Sequence, residues 1–205
     1  MKKKTDLRVL KTRKLLYEAL LNLMEKNEFE SITIQQLADE AMINRATFYL
    51  HYVDKYELLN ASITDKLDEL MLKHISPIRH VHDGVVYLDI FRDIATEICQ
   101  TVNDNERFFR IMLNSNSDRI IKDYFIQLIK KNIEPQFKQM FGKEPKQFER
   151  HKDIFIQLIV SSIIGVMTWW ISSDDREPPE VIASTIINFV TKGPAYVMGL
   201  EMGES

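Results

Sequence analysis

"TIQQLADEAMINRATFYLHY", running from Thr33 to Tyr52, gathers a threonine, an arginine, two tyrosines and a histidine among small apolar residues. Its apolar spacing decides how the start of the chain folds. Ile34, Leu37, Ala38 and Ala41 fall on one face of a short helix. Phe48 and Tyr52 share a face of the next. Thr33 suits the N-cap of the first and Asn44 that of the second. "AMIN" turns the chain between them, Ile43 plugs the angle, and Ala38 is small where two helices must cross closely. Two short helices joined by a tight turn form a helix-turn-helix.

With Phe48 and Tyr52 turned inward, Arg45, Ala46, Thr47, Tyr49 and His51 cannot all reach a core. Arg45 to Thr47 lie on the first turn of the third helix, the end that enters a DNA major groove in such units. Arginine offers a two-pronged donor for guanine. Thr47 offers a hydroxyl and a methyl, and Ala46 meets a thymine methyl or permits close approach. The Thr33 hydroxyl sits beside free backbone N–H groups, a seat for phosphate. Tyr49, His51 and Lys55 are donors placed to grip the sugar-phosphate backbone. The plainer readings are interhelical packing for Tyr49 and His51 and a surface charge for Arg45.

Working outward, the chain has 205 residues and is 45% apolar and 28% charged, an ordinary globular composition. Only six Gly and six Pro are spread along it, which favours long helices over the turns of an all-β chain. The single Cys99 allows no internal disulfide, which suits a reducing cytoplasm. Net charge is −3, against a general coating of nucleic acid. However, Lys2, Lys3, Lys4, Arg8, Lys11, Arg13 and Lys14 face only Asp6 at the start. Positive charge gathered at one end fits a polyanion there, or a solvated terminus. The start lacks the apolar run of an export signal.

Leu7 to Lys26 carries Val9, Leu10, Leu16, Ala19, Leu20 and Leu23 at helical spacing. Asp54 caps a fourth helix bearing Leu58, Leu59, Ile63, Leu67 and Leu70. "HISPIRHVHDG" reads as a linker. Helices follow over Tyr87 to Val102, Glu106 to Leu113, and Asp118 to Met140 with an interruption at Pro135. The next runs from Gln147 to Ser173. The last opens at Pro178-Pro179, where proline is tolerated, and stops at Gly193-Pro194. No segment alternates as a strand does. The expectation is an all-α chain of about nine helices. Residues 1–53 make an N-terminal three-helix bundle, 54–74 a connecting helix, and 75–205 a larger helical domain for regulation and dimerisation.

The stretch "ITIQQLADEAMINRATFYLHYVDKYELL" resembles the N-terminal signature of the TetR family of bacterial transcriptional regulators. It shares a Thr opening helix two, "LA" four residues on, "TFYLHY", and a Lys before "ELL". The resemblance covers roughly residues 8–60. It implies a dimeric repressor with a variable ligand-binding remainder. Carried onto this chain, it points to Gln35, Arg45, Ala46 and Thr47 for bases and to Thr33, Tyr49, His51 and Lys55 for phosphates. Two positions depart from the family pattern. Met42 stands where the turn usually has glycine, so altered backbone angles are expected there. Ala46 replaces a frequent glycine in the third helix and should stiffen that turn.

"IFIQLIVSSIIGVMTWWI", Ile154 to Ile171, has no charge over eighteen positions, long enough to span a bilayer. Gln157, Ser161, Ser162 and Thr168 dilute it, and a helix buried on nearly all sides fits as well. The resemblance implies two C-terminal helices packed against their copies as a four-helix bundle, so no membrane contact is expected. Ser161 and Gly165 allow close helix approach, although that spacing also occurs in membranes. Val181, Ile182, Ile186, Ile187, Phe189 and Val190 offer more apolar surface than one subunit easily hides, and Ile182, Ile186, Phe189 and Val190 are the interface candidates with Ser161 and Gly165. A two-fold pair would present two reading helices to a palindromic operator.

Phe108, Phe109, Met112, Tyr124 and Phe125 are candidates to line an effector pocket, with Met167, Trp169 and Trp170; each also serves as ordinary core or dimer packing. His74, His80 and His82 with Asp83 are zinc-ligand types, but their spacing matches no metal pattern, so neither metal nor cofactor is expected. There is no glycine-rich phosphate loop and no nucleophile beside a plausible base, which argues against an enzyme. The sequence therefore points to a DNA-binding regulator released by a small-molecule effector. The alternative is an adaptor of the same fold that acts through protein contacts.

Overall fold

The first turn of α1 (Leu7–Met24) is solvated, and burial starts at Leu16, Ala19 and Leu20, the positions one helical stripe allows. Leu10, expected on that stripe, is exposed. The computed structural model describes residues 7–71, 81–82, 85–114, 118–132 and 146–199. A 3-10 turn (Phe29–Ser31) leads into α2 (Ile34–Glu40), which a capping box opens. The Thr33 hydroxyl accepts the Gln36 backbone N–H at 3.2 Å, and the Gln36 side-chain Oε1 accepts the Thr33 backbone N–H at 2.8 Å.

Helix α2 ends in a Schellman motif. The Ile43 N–H returns to the Ala38 carbonyl at 2.9 Å and the Met42 N–H to that of Asp39 at 3.1 Å. This places Met42 in the left-handed region, φ +55°, with its side chain 93% exposed. The altered angles expected at Met42 are not found: the motif imposes on methionine the angles that glycine adopts freely. The left-handed strain is about 1–2 kcal/mol, and glycine would return about 0.5–1 kcal/mol of that through its greater unfolded-state entropy. Met42→Gly is therefore expected to stabilise the fold by about 0.5–1 kcal/mol, read as a thermal midpoint about 2 °C higher.

Helix α3 (Arg45–Tyr49) and α4 (Lys55–Met71) complete the head. Asn44 caps α3 by accepting the Ala46 N–H at 2.8 Å, and Asp54 caps α4 by accepting that of Glu57 at 2.8 Å. Regular helix stops at Tyr49, although Tyr52 still donates its backbone N–H to the Phe48 carbonyl. Phe48, Leu37, Leu16, Leu20, Leu58 and Ile63 close the head core.

The body contains α5 (Leu88–Asp104), α6 (Glu106–Asn114), α7 (Asp118–Asn132), α8 (Lys146–Ser172) and α9 (Pro179–Val197). That makes nine α-helices among the described residues. Their only strand pairing is β1 (Val81–His82), inside the segment read as a linker, with β2 (Val85–Val86), just after it, antiparallel. Neither dipeptide is long enough to show the alternation by which a strand is read. Helix α9 lies along α5, α8 packs on α6 and α7, α7 reaches α4, and α6 touches α1. Pro178 and Pro179 open α9, and Gly193 at φ +83° breaks it before Pro194. The expected interruption at Pro135 lies outside the described residues.

Residues 151–172 are long and apolar enough to cross a membrane, but a third of that window is buried within the subunit. Trp170 is fully buried, and its indole N–H donates to the Glu177 carbonyl at 2.8 Å, pinning the α8–α9 turn. An uncovered face remains: Ile154, Leu158, Ser161, Gly165 and Trp169 align on α8, and Val181, Thr185 and Phe189 on α9.

Candidate nucleic-acid interface

Arg45 and Ala46 are exposed and Thr47 half-buried, all on the first turn of α3. Fully buried Phe48 anchors this turn from behind. The Arg45 guanidinium stacks 5.7 Å above the Tyr49 ring and donates to its hydroxyl at 3.3 Å. That contact lays the fork across the outer face of the helix, where it can meet a base edge or a phosphate. Gln35 is exposed on α2 and donates to Asp39 at 2.7 Å. Arg45, Ala46 and Thr47 share the first turn of α3, and Gln35 is exposed on α2. His51 is half-buried with its ring 6.4 Å from that of Tyr52, which leaves only part of it facing outward. The Thr33 hydroxyl is exposed but already joined to Gln36 on both sides.

Lys55 requires a correction. Its ammonium donates to the carbonyls of Phe29 at 2.9 Å, Glu30 at 2.7 Å and Ile32 at 3.0 Å. It also lies 4.8 Å over the Phe29 ring. Three N–H groups meet three carbonyls, so none is left over for a phosphate oxygen. The carbonyls come from the 3-10 turn before α2, a partner that no local spacing reveals.

Sequence reasoning passed over Leu50 and Val53, both exposed beside α3. The signal was present: turning Phe48 and Tyr52 inward forces Leu50 outward. Of the early basic residues, Arg8, Lys11 and Lys14 are exposed on α1, while Arg13 is drawn inward. It donates to the Tyr52 hydroxyl at 2.9 Å and pairs with Asp65 at 3.1 Å. Tyr52 donates on to Tyr17 at 3.1 Å, and Tyr17 to Asp65 at 2.6 Å. Burial, then the bond to Asp65, raises the Tyr17 phenol well above its ordinary range, so it stays a donor. This chain ties the end of α3 to α1 and α4. Lys2, Lys3 and Lys4 lie outside the described residues.

A cavity of about 490 Å³ lies in the body. Of the pocket candidates, Phe109, Phe125 and Met167 line it. Phe108 and Met112 turn toward a separate cleft beside α1 and α4. Tyr124 is directed away and donates to Asp68 of α4 at 2.7 Å. Trp170 is committed to the α8–α9 turn, and Trp169 faces outward. Of the interface candidates, Ser161, Gly165 and Phe189 are exposed; Ile182 is buried within the subunit, and Ile186 and Val190 line the cavity. The exposed stripe of α9 is offset by one residue, through Val181, Thr185 and Phe189. The open turns of a helix are set by what packs behind it, here α5. Among the described residues no three His, Cys, Asp or Glu side chains gather as metal ligands. His74, His80 and Asp83 fall outside them.

The chain is similar to an uncharacterized HTH-type transcriptional regulator, YxbF, of Bacillus subtilis (strain 168). They share 23% identity over 185 residues, covering 87% of this chain and 44% of that protein, so this chain spans less than half its relative's length. A crystal structure of a TetR transcriptional regulator from Streptococcus agalactiae 2603V aligns with TM-score 0.61 and 21% identity, covering 90% of this chain and 96% of that one. A TetR-family transcriptional regulator from Streptomyces coelicolor aligns with TM-score 0.59 and 15% identity, covering 91% and 82%. A helix-turn-helix head on a mainly helical body is the architecture of a DNA-binding transcriptional regulator. Residues 16–62 match the model of bacterial regulatory proteins of the tetR family, and residues 90–192 that of a transcriptional regulator C-terminal region. The chain belongs to the TetR family of transcriptional regulators, which are DNA-binding proteins and not enzymes.

Proposed function

We propose that the protein binds a palindromic operator in the cytoplasm as a homodimer, represses by occupying it, and is released by an effector held in the body cavity. Residues 1–53 read the DNA, 54–74 connect, and 75–205 dimerise and sense. The carrying observation is the outward trio Arg45, Ala46 and Thr47, locked from behind by Phe48 and the Arg13–Tyr52–Tyr17–Asp65 chain. Gln35 adds a base contact, and Thr33, Tyr49 and His51 hold phosphates. The uncovered stripes of α8 and α9 are the surface a second copy buries. At Gly165 an added Cβ would meet nothing within 4 Å, which leaves room for a partner helix to approach.

Release needs a route, and α6 supplies one. Phe109 and Leu113 line the cavity. Arg107 of the same helix donates to Asn22 at 2.6 Å and pairs with Glu25 at 3.0 Å, both on or just after α1. A ligand that displaces α6 therefore moves the head, provided it binds the displaced arrangement better.

Selection of bound sites from random DNA, followed by Arg45→Ala, tests the reading. The variant is expected to bind the selected operator about 1–3 kcal/mol more weakly and to lose preference at one position of each half-site. An unaltered preference removes Arg45 as a base reader. Failure of the wild-type protein to select any site leaves the adaptor reading.

A further inference from the structure

The body cavity has a volume of about 490 Å³ and draws its wall from five helices. Phe91 and Ile98 of α5, Phe109 of α6, Phe125 of α7, Ile164 of α8 and Val190 of α9 all line it. A folded interior is close-packed and keeps few voids larger than a water molecule. A space of this size is therefore costly when empty, and filling it is favourable. Dry apolar cavities about a third as large take up benzene.

Little in the wall can recognise a polar group. Among the described lining residues, only Cys99, Lys152 and Thr191 carry a side-chain donor. The Thr191 hydroxyl donates to the Ile187 carbonyl at 2.6 Å. Lys152 is half-buried and has an interaction of its own. Burial, with Glu180 adding, pushes the Cys99 thiol up to about 12, so it stays neutral, and a thiol is a weak donor. The backbone adds little, because these residues stand in α-helices whose N–H and C=O groups bond each other. A carboxylate, ammonium or amide entering here would give up water with no partner to replace it. A hydrocarbon gives up nothing and gains contact with the phenylalanines, the isoleucines and the Met167 thioether. At about 30 Å³ for each water-sized group, the space holds roughly sixteen such groups.

We infer that the cavity takes a neutral hydrocarbon of up to roughly sixteen carbons, held by apolar contact alone. The assignment rests on the reading of this cavity as the effector site, and it adds the ligand's class and its size limit.

The test follows ligand fluorescence on titration with the full chain, without DNA. The probes are naphthalene, naphthalene-2-carboxylate, 2-naphthylmethylammonium and the larger phenanthrene. Naphthalene and phenanthrene are expected to bind saturably, one per subunit, with phenanthrene the tighter. Both charged forms should bind at least about tenfold more weakly than naphthalene. Ala95 and Ile164 line the cavity from α5 and α8, so phenylalanine at either takes up part of the space. Ala95→Phe and Ile164→Phe should each keep the circular dichroism of the wild type, weaken phenanthrene about tenfold and weaken naphthalene less. A charged form that binds as tightly as naphthalene overturns the neutral class. Binding that does not saturate at one ligand per subunit, or that neither variant weakens, overturns the cavity as the site. Addition of phenanthrene to the protein–operator complex reports separately. Release supports the effector reading, while binding without release upholds the ligand class and removes the effector role.

Discussion

Leu158→Glu combined with Phe189→Glu is expected to leave the subunit folded and to turn the proposed dimer into a monomer at micromolar concentration. The two side chains are 63% and 42% exposed on the aligned faces of α8 and α9, so their replacement disturbs little within one subunit. At a two-fold interface each glutamate returns with its own copy, placing four carboxylates where apolar surface should meet. Burying unpaired charge costs several kcal/mol per group, more than a bundle of four helices can absorb. Operator affinity should then fall by about 10²–10⁴, because the second head loses the effective concentration that tethering provides. Sedimentation equilibrium and circular dichroism check both parts. A double variant that sediments as a dimer would move the interface elsewhere.

Lys55→Met is expected to lower stability by about 2–3 kcal/mol, a thermal midpoint about 5–10 °C lower. The Lys55 side chain is only 14% exposed, and its ammonium closes the turn before α2 by bonding three carbonyls. Methionine keeps much of the stem's packing but removes those bonds and the cation–π interaction with Phe29, which stands at 4.8 Å. Water reaches part of this turn, which holds the loss below that of a fully buried charge. The phosphate role makes the opposite forecast: an unchanged midpoint, and a salt dependence of operator binding whose slope is shallower by about one for each phosphate no longer neutralised. A denaturation curve and a salt titration on the same variant separate the two.

The contrast between Lys55 and Arg45 shows how much of the candidate site was legible. Arg45 to Thr47 read as outward because Phe48 and Tyr52, within the same few residues, have to face in. Lys55 looks equally outward because its partners, the carbonyls of Phe29, Glu30 and Ile32, lie more than twenty positions earlier. Met42 teaches the reverse lesson: a local hydrogen-bond motif overrides the side chain's own backbone preference.

The sequence by itself determined the helical class, the helix-turn-helix, its caps and the outward placement of Arg45 and Ala46. Each of these depends on periodicity, capping side chains and turn geometry, interactions that reach no further than about one helical turn. Only the tertiary structure decided which way the long body helices face. Ile182, Ile186 and Val190 look as apolar as Val181 and Phe189, yet the first three turn inward and the last two remain outside. Helices this apolar have no single obvious inner stripe. The packing of α5 against α9, and of α8 against α6 and α7, selects which stripe is buried and leaves an apolar cavity between them.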